Sequence, residues 1–568
     1  MPKSARHNNF AVVGTSEERG RGGTGVWRVP SFALALLVFS LAAPRLTGGQ
    51  TNHQAHQGAG PVPREILDRP VSLRTAIGSV HEAVTTSSPE AQAFYDQGLA
   101  YLHSYVWIEA VRSFHQALRL DPNLGMAYLG LTDAYIGLHD IVTARSAFQT
   151  GQALAQTMSE RERMWLTIRE RELEHAEDEG SPEKYLAYRR AITDAIKRIP
   201  NDPWLWIQRG FADEGSVLTH GQAGGADTLA FYKMALSFAP DNFAAHHYYG
   251  HSYENAGRTK EALAETAFYV RLAPAIPHAH HMHGHELLRE GRTEEAIQEF
   301  LKTKELEENY YRTENIPARY DWHHAHNLQL LAMSYQSLGQ MKAAEAAFHE
   351  AFAVPAYTEF LEYNRKAWPE FLLSRGRHAD ALAACRALTD SPWPMARLAG
   401  YSLAGQALVA MNQINDAREE FALAERETER IPVGALAALP YPGALRADIL
   451  LADKKTEEGE SLVREIEALA RAMPGPDAWS AARFELEAIA KRARDAGDWD
   501  LAEFTAQQMI EHDPHYAGGH FALGLVARHR GNSNAAQRHF AEAEKLWSKA
   551  DKDLPELVLI RDGLSASR

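Results

Sequence analysis

The chain has 568 residues, a hydrophobic content of 45% and a formal net charge of −15 at pH 7. A length well above that of one ordinary domain predicts several domains or an extended repeat, with a large buried core. The 59 Lys and Arg against 74 Asp and Glu argue against binding to a phosphate backbone, so we expect no nucleic-acid partner. Cys385 is the only cysteine, which excludes disulfide frameworks, cysteine-rich zinc sites and iron–sulfur clusters.

The N-terminal part combines several basic residues with a short apolar run, SFALALLVFSLAA, over residues 31–43. The run is too short to cross a bilayer and is typical of the hydrophobic region of a secretory signal peptide. The alternative is a buried apolar segment of a cytoplasmic protein. We expect a leader over residues 1–50, export to the periplasm or the medium, and no stable membrane span.

A helical repeat of 34 residues begins at Ala91, with small residues at its eighth and twentieth positions, Gly98 and Ala110, and with Phe114 and Pro122 further along. Small residues let two antiparallel helices approach, an aromatic ring fills the gap between them, and proline ends the second helix. The same register recurs from Gly125, Phe243, Pro277, Ala325, Leu398, Arg483 and Ala517. The pattern resembles the tetratricopeptide repeat, which implies an all-α solenoid, a superhelix of helical hairpins with a concave groove.

The repeat pattern also predicts where the segments of the chain begin and end. After the leader, we expect a flexible N-terminal segment over 51–88, tetratricopeptide units over 89–158, a diverged helical hairpin over 159–202, histidine-rich units over 203–354, C-terminal units over 355–550 and a tail over 551–568.

Histidines are concentrated in the middle of the chain, where 11 of the 27 lie between His246 and His326. In tetratricopeptide proteins the second, fifth, ninth and twelfth residues of the first helix line the groove. In three consecutive units these positions hold His247, His251, Glu254, His278, His281, His285 and His326. Residues three or four apart share a helix face, so we expect these seven to converge. His246, His280 and His283 occupy other faces and are interpreted as packing or surface groups.

Imidazole and carboxylate ligands suit zinc, iron or copper, and their convergence predicts a transition-metal site. Seven candidate ligands exceed one tetrahedral shell, so we expect one or two ions. His323, His324 and Asn327 are expected to support the ligands rather than bind the metal. The alternative is that the histidines are polar groove lining, or bind an acidic peptide when protonated at low pH.

The central segment, about 200 residues, resembles a group of exported bacterial tetratricopeptide proteins that carry H-x-x-x-H-x-x-E, H-x-x-H-M-P-x-H and HN motifs. Here these are HYYGHSYE from His247, HAHHMHGH from His278, and the pair His326 and Asn327. The sequence departs from the second motif at His283 and Gly284. The resemblance implies a shared site and no particular reaction.

The sequence therefore favours an exported solenoid that binds a transition metal and presents a surface for a protein or peptide ligand, or for a small substrate, in its groove. A metal-dependent enzyme, hydrolytic or oxidative, with a mono- or dinuclear histidine and glutamate centre is the alternative. A metal-free interaction scaffold is the third hypothesis. No catalytic residue is assigned.

Overall fold

The computed structural model describes residues 62–178, 180–213, 222–473 and 475–565. The predicted leader, residues 1–50, lies outside the described residues. Within the described ranges all regular structure is helical, which confirms the all-α prediction. None of the described helices is both long enough and apolar enough to cross a membrane.

The first half of the described chain contains α1 (Arg64–Leu67), α2 (Pro89–Leu102), α3 (Trp107–Leu120), α4 (Gly125–Gly137), α5 (Ile141–Ala153), α6 (Glu160–Ala176), α7 (Pro182–Arg198), α8 (Pro203–Phe211), α9 (Leu229–Phe238), α10 (Phe243–Asn255), α11 (Thr259–Leu272), α12 (Pro277–Arg289), α13 (Thr293–Glu314) and a 3₁₀ turn (Ala318–Tyr320). The second half contains α14 (Trp322–Ser337), α15 (Met341–Ala353), α16 (Glu359–Asn364), α17 (Ala367–Ser374), α18 (His378–Thr389), α19 (Pro394–Ala410), α20 (Ile414–Thr428), α21 (Val433–Leu436), α22 (Gly443–Ala452), α23 (Thr456–Ala472), α24 (Pro476–Ala496), α25 (Trp499–His512), α26 (Ala517–His529), α27 (Ser533–Leu546) and α28 (Pro555–Ser565).

Consecutive helices pack as antiparallel hairpins, among them α2 with α3, α10 with α11, α12 with α13, α14 with α15 and α26 with α27. Four of the predicted units begin where a first helix begins, at Gly125, Phe243, Pro277 and Ala517. The 34-residue register therefore describes real hairpins, and the prediction of a tetratricopeptide-type solenoid is confirmed.

Close contact between the two helices of a hairpin explains the small residue at the eighth position. A Cβ atom added at Gly98 would lie 2.4 Å from the ring of Phe114, and one added at Gly284 would lie 2.7 Å from the ring of Phe300. Any side chain at these glycines would collide with the aromatic residue that fills the hairpin. Gly284 thus serves the repeat even though it departs from the resembled motif.

Both ends of the described chain pack against the histidine-rich repeats. On the N-terminal side, the backbone N–H of Ala275 donates to the carbonyl of Ala76 at 2.8 Å. On the C-terminal side, the indole N–H of Trp547 donates to the carbonyl of Ser337 at 3.2 Å, and α24 packs against α14. The inner face of the central repeats is consequently buried under other parts of the same chain.

Candidate metal centres

A first histidine triad joins α10 and α12. His247 and His251 are one turn apart on α10, and their Nε2 atoms are 3.2 Å apart. His278, at the start of α12, places its own Nε2 2.9 Å from that of His247. Each residue offers a ligand atom within 4.8 Å of the other two, and all three side chains are buried. Three imidazole nitrogens therefore meet at one point of the interior.

The orientation of His247 is set by the backbone of the first repeat. Its Nδ1–H donates to the carbonyl of His103, just after α2, at 2.8 Å. Because a carbonyl only accepts, the proton of the neutral ring is on Nδ1 and the lone pair is on Nε2. Nε2 is the atom that faces the other two histidines, so His247 presents a metal-binding atom to the triad.

His278 is set by a hydrogen-bonded chain that starts at a carboxylate. The Nδ1–H of His323 donates to Glu307 Oε1 at 2.5 Å, and His323 Nε2 lies 3.0 Å from His278 Nδ1. With neutral rings, His278 donates from Nδ1 to His323, and its lone pair on Nε2 faces the lone pair of His247 at 2.9 Å. Two facing lone pairs repel. A metal ion between them would remove the repulsion, and so would a proton on His323 Nε2, because His278 would then carry its own proton on Nε2 and donate to His247.

Burial disfavours a proton on the three rings of the triad itself. It lowers the pKa of His247 to about 3 and lowers the pKa values of His251 and His278 well below the usual range, with smaller contributions from neighbouring imidazoles. A charged imidazole loses its hydration in such a site. These rings are therefore neutral at pH 7, and each keeps one unprotonated nitrogen that could serve as a ligand atom.

A second triad joins α12 and α14 through His281, His285 and His326, each with a ligand atom within 4.8 Å of the others. The Nδ1–H of His281 donates to Asn327 Oδ1 at 2.9 Å. The amide of Asn327 cannot be turned over, because its N–H₂ group donates to the carbonyl of Phe300 at 3.0 Å. The lone pair of His281 is therefore on Nε2, which has no hydrogen-bond partner among the described residues.

Two carboxylates adjoin the second triad. Glu254 Oε2 lies 3.6 Å from His285 Nδ1, and Asp477 Oδ2, from the start of α24, lies 3.2 Å from His326 Nδ1. Burial raises the pKa of both carboxyls, but His285 and His326 outweigh burial and lower them. Burial opposes the charged form of His326 too, yet Asp477 raises its pKa. The second triad is thus a mixed nitrogen and oxygen site, in which Glu254 also lies 3.3 Å from the guanidinium of Arg289.

Buried polar atoms without a hydrogen bond are concentrated around this second triad. They are Nε2 of His281, both ring nitrogens of His285, Nδ1 of His326, both oxygens of Glu254 and of Glu286, and Oδ1 of Asp477. Buried polar atoms are almost always hydrogen-bonded, and each exception calls for an explanation. One ligand atom from each of His281, His285 and His326 lies within 4.8 Å of the other two, so a single bound group could contact all three histidines at once.

The seven residues singled out in the sequence separate into these two neighbouring groups. His278 and His281 belong to different triads, and their ring centroids are 5.8 Å apart. Glu254 adjoins the second triad although it shares α10 with two members of the first. The three expected supporting residues, His323, His324 and Asn327, all hydrogen-bond in the surroundings: His324 Nδ1–H donates to Glu307 Oε2 at 2.8 Å.

The remaining histidines of the tract are held by contacts of their own. The Nδ1–H of His280 donates to Glu299 Oε2 at 2.6 Å, and its Nε2 lies 3.0 Å from the carbonyl of Pro274. His246 repeats this pattern 34 residues earlier, with Glu265 at 2.5 Å. His283 lies 3.2 Å from the hydroxyl of Thr266. These three pack between helices and lie outside both triads.

Tyr105 covers the first triad from the turn between α2 and α3. Its ring centroid is 4.9 Å from that of His247, 6.3 Å from that of His251 and 5.2 Å from that of His278. Its backbone is left-handed, with φ of 58°, where the matching residue of other hairpins is a glycine such as Gly257 or Gly291. The left-handed conformation costs a bulky residue about 1–2 kcal/mol. The strained turn places an aromatic ring over the histidines.

Sequence reasoning missed Tyr105, Glu307 and Asp477. Tyr105 was detectable, because an alignment of the units shows a tyrosine at the fifteenth position where Gly257, Gly291, Gly339 and Gly531 stand in others. Glu307 lies on the second helix of its unit, where no groove position is defined. Asp477 lies about 150 residues from His326 and approaches it only because α24 packs against α14.

Residues 325–358 match the family model of the tetratricopeptide repeat, which agrees with the unit predicted to start at Ala325. No curated protein sequence matches the chain. Solved structures similar to it include a tetratricopeptide repeat protein from Parabacteroides merdae, with 16% identity over 47% of this chain and 93% of that chain and a TM-score of 0.33. The human IFIT1 dimer with m7Gppp-AAAA has 12% identity to this chain, and the match covers 82% of this chain and 91% of that one, with a TM-score of 0.35. Yeast Tom70 shows 13% identity over 84% and 95%, with a TM-score of 0.32. These values are too low to support any statement about function.

Proposed function

We propose that this chain, an all-helical solenoid that contains a tetratricopeptide repeat, binds two transition-metal ions in its interior. His247, His251 and His278 would hold the first ion, and the second triad would hold the other. The observation that carries the proposal is the group of buried nitrogen and oxygen atoms at the second triad. Nε2 of His281 and both ring nitrogens of His285 have no hydrogen bond, whereas Glu254 Oε1 lies 3.3 Å from Arg289 and His326 Nδ1 lies 3.2 Å from Asp477. Such atoms are costly when left unsatisfied, and one cation would satisfy several of them together.

The residues present fit such ions. Zinc–nitrogen bonds of about 2.0–2.1 Å at tetrahedral angles place two ligand nitrogens about 3.3 Å apart. The Nε2 pairs of the first triad, at 2.9 and 3.2 Å, are close to that spacing. The second triad adds the carboxylates of Glu254 and Asp477, a donor set that also suits zinc, iron or copper. Asn327 Oδ1 and the His103 carbonyl accept from His281 and His247, as the partners of metal-binding histidines usually do. Glu307 acts one step further away, through His323, which contacts His278.

The proposal includes export, on the strength of the apolar run over residues 31–43 behind basic residues. It also includes a binding role, because helical-repeat solenoids offer long surfaces for protein and peptide partners. Metal in the interior would then stabilise the central repeats, and the outer surface of the solenoid would remain available to a protein or peptide.

A metal-dependent enzyme is the second candidate, and the surroundings of the first triad favour it. Catalytic zinc sites keep three protein ligands and one open position. The first triad has three imidazoles, and a cavity lined by His278 and Tyr105 adjoins it. A hydrolytic or oxidative reaction on a small substrate is the corresponding hypothesis.

The metal content of the untagged mature protein tests the proposal. After reconstitution with zinc, copper or iron and removal of excess ion, elemental analysis should find two ions per chain. His247→Gln with His251→Gln, and separately His281→Gln with His285→Gln, should each leave one. The matched control, His246→Gln with His280→Gln, changes two neighbouring histidines outside the triads and should keep both ions. Equal metal content in all variants would refute the proposal.

The same variants separate the two candidate functions. Turnover of a small hydrolytic or oxidisable substrate that is lost with His247 and His251, and kept in the control pair, would favour the enzyme. Two bound ions with no turnover, together with partner binding that survives loss of the first triad, would favour the binding solenoid.

A further inference from the structure

A partly enclosed cavity of about 110 Å³ lies beside the first triad, between the α2–α3 turn and the segment that leads into α14. Engineered cavities of about 150 Å³ hold one benzene molecule, so this cavity has room for one small ligand. Six aromatic residues contribute to its wall: Tyr101, Tyr105, Trp107, Tyr310, Tyr320 and Trp322. Nothing in the proposed metal binding requires so many aromatic rings here.

The rings adjoin one another rather than being scattered. Trp107 and Trp322 have ring centroids 5.6 Å apart at an interplanar angle of 31°, and Tyr105 is 5.8 Å from Trp107 and 6.2 Å from Trp322. Trp322 is held in place by its indole N–H, which donates to the carbonyl of Tyr105 at 3.1 Å. The three rings therefore form a continuous aromatic wall.

The polar part of the cavity is acidic. Three carboxylates line it, those of Glu109, Glu307 and Asp321, and no lysine or arginine occurs among the described residues that form the wall. Arg112 pairs with Glu109 but is not itself part of the wall. An anionic ligand would meet three carboxylates and no lysine or arginine; the nitrogen side chains in the wall are the imidazoles of His278 and His323. The wall therefore disfavours anions.

We propose that this cavity binds a small organic cation, an ammonium group that carries methyl or short alkyl substituents. A cation over the faces of tryptophan and tyrosine is attracted by the ring quadrupoles, and its alkyl groups are removed from water by the same rings. The three carboxylates give the wall an acidic character that suits a cation, while Glu109 also pairs with Arg112 and Glu307 with His323 and His324. A neutral ligand of the same shape would gain only the apolar contact, and an anion would be repelled.

Tyr105 is the residue that connects this cavity with the histidines. It is part of the cavity wall and its ring also lies over all three histidines of the first triad. Its left-handed backbone places the ring where a glycine turn would leave a gap. His278 of the triad is also part of the wall, so a bound ammonium group would lie directly beside the first triad.

Calorimetric titration of the chelator-treated, metal-free protein tests the inference. Tetramethylammonium chloride should give a saturable isotherm with one site per chain. Two isosteres of similar size, tert-butanol and sodium pivalate, should give none over the same concentration range, with sodium chloride to match ionic strength. If either isostere binds as tightly as tetramethylammonium, the cavity does not select a cation and the inference fails.

Variants locate the site. Trp107→Leu should weaken tetramethylammonium binding about three- to thirtyfold, and Trp107→Phe, which keeps a ring, should weaken it less. Trp206→Leu is the matched control, since Trp206 is also half-buried and is not part of the cavity wall. If Trp107→Leu does not fold, the inference is still tested by Trp107→Phe and by comparing the three ligands on the unchanged protein. Unchanged affinity in both Trp107 variants would overturn the assignment, whatever the metal content proves to be.

Discussion

The carboxylate of Glu307 accepts hydrogen bonds from two histidines, and we expect its replacement by glutamine to lower the free energy of unfolding. The Nδ1–H of His323 donates to one oxygen at 2.5 Å and that of His324 donates to the other at 2.8 Å. The side chain is 1% exposed, so water cannot replace either partner. Glu307→Gln removes the charge and turns an N–H₂ group towards one of the two imidazole N–H groups. At least one hydrogen bond is then lost.

The pKa of Glu307 gives the size of its contribution to the free energy of unfolding. Burial raises it, but hydrogen bonds and charge from His323 and His324 outweigh burial and lower it from 4.5 to about 2. This difference corresponds to about 3 kcal/mol, since each tenfold change in proton affinity is worth about 1.4 kcal/mol. Because the pKa is lowered in the folded state, the contribution is complete above pH 4.5 and is lost as the pH falls through 2. At pH 3 about 1 kcal/mol of it remains.

Urea unfolding of the metal-free protein, followed by circular dichroism at pH 7, 5 and 3, measures this contribution. The matched control is Glu299→Gln on the same helix. Glu299 also pairs with a histidine, His280 at 2.6 Å, but its side chain is 27% exposed, so we expect a loss of less than about 1 kcal/mol. Equal losses in the two variants, or a loss at Glu307 that does not shrink between pH 5 and pH 3, would refute the reasoning.

Three further predictions follow from the structure. Asn327→Leu removes the acceptor that orients His281, and should weaken zinc binding at the second triad about 10–100-fold in chelator competition while the first triad is unaffected. Lys454 is an exposed residue with a left-handed backbone, φ 62°, so Lys454→Gly should raise the free energy of unfolding by about 1 kcal/mol. Tyr105→Gly removes the same backbone strain but also a ring that is only 8% exposed, so it should lower the free energy of unfolding. Urea unfolding of both variants measures the two changes. Chelator should lower the free energy of unfolding by about 5 kcal/mol if both ions are present at about one hundred times their dissociation constants, and by half as much in the His281→Gln, His285→Gln variant. A chelator effect of the same size in both proteins would contradict two separate sites.

The helical hairpins were predictable because each depends on contacts within about 34 residues. Gly98 and Phe114, or Gly284 and Phe300, meet across one turn, so their spacing in the sequence already specifies the contact. The same local geometry placed His281 and His285 on one face of α12, and His247 and His251 on one face of α10. Helix periodicity also separated His280, which pairs with Glu299, from its neighbours in the tract.

The division into two triads was not predictable from that pattern. Which histidine of α12 meets α10 and which meets α14 depends on the rotation between neighbouring hairpins, which the repeat pattern does not specify. His278 is therefore grouped with α10, while His281 and His285 are grouped with His326. For the same reason, the carboxylate of Glu254 lies beside the second triad although Glu254 is on α10.

The sequence by itself determined the repeat, the class of fold and the side chains that can bind metal, because all of these follow from short-range periodicity and residue chemistry. The tertiary structure decided how those side chains are enclosed. Tyr105 from the first hairpin and Asp477 from α24 reach the central histidines only because the superhelix brings distant repeats against its own inner face. The physical reason is that small rotations add up over many hairpins, and no local pattern in the chain records their sum.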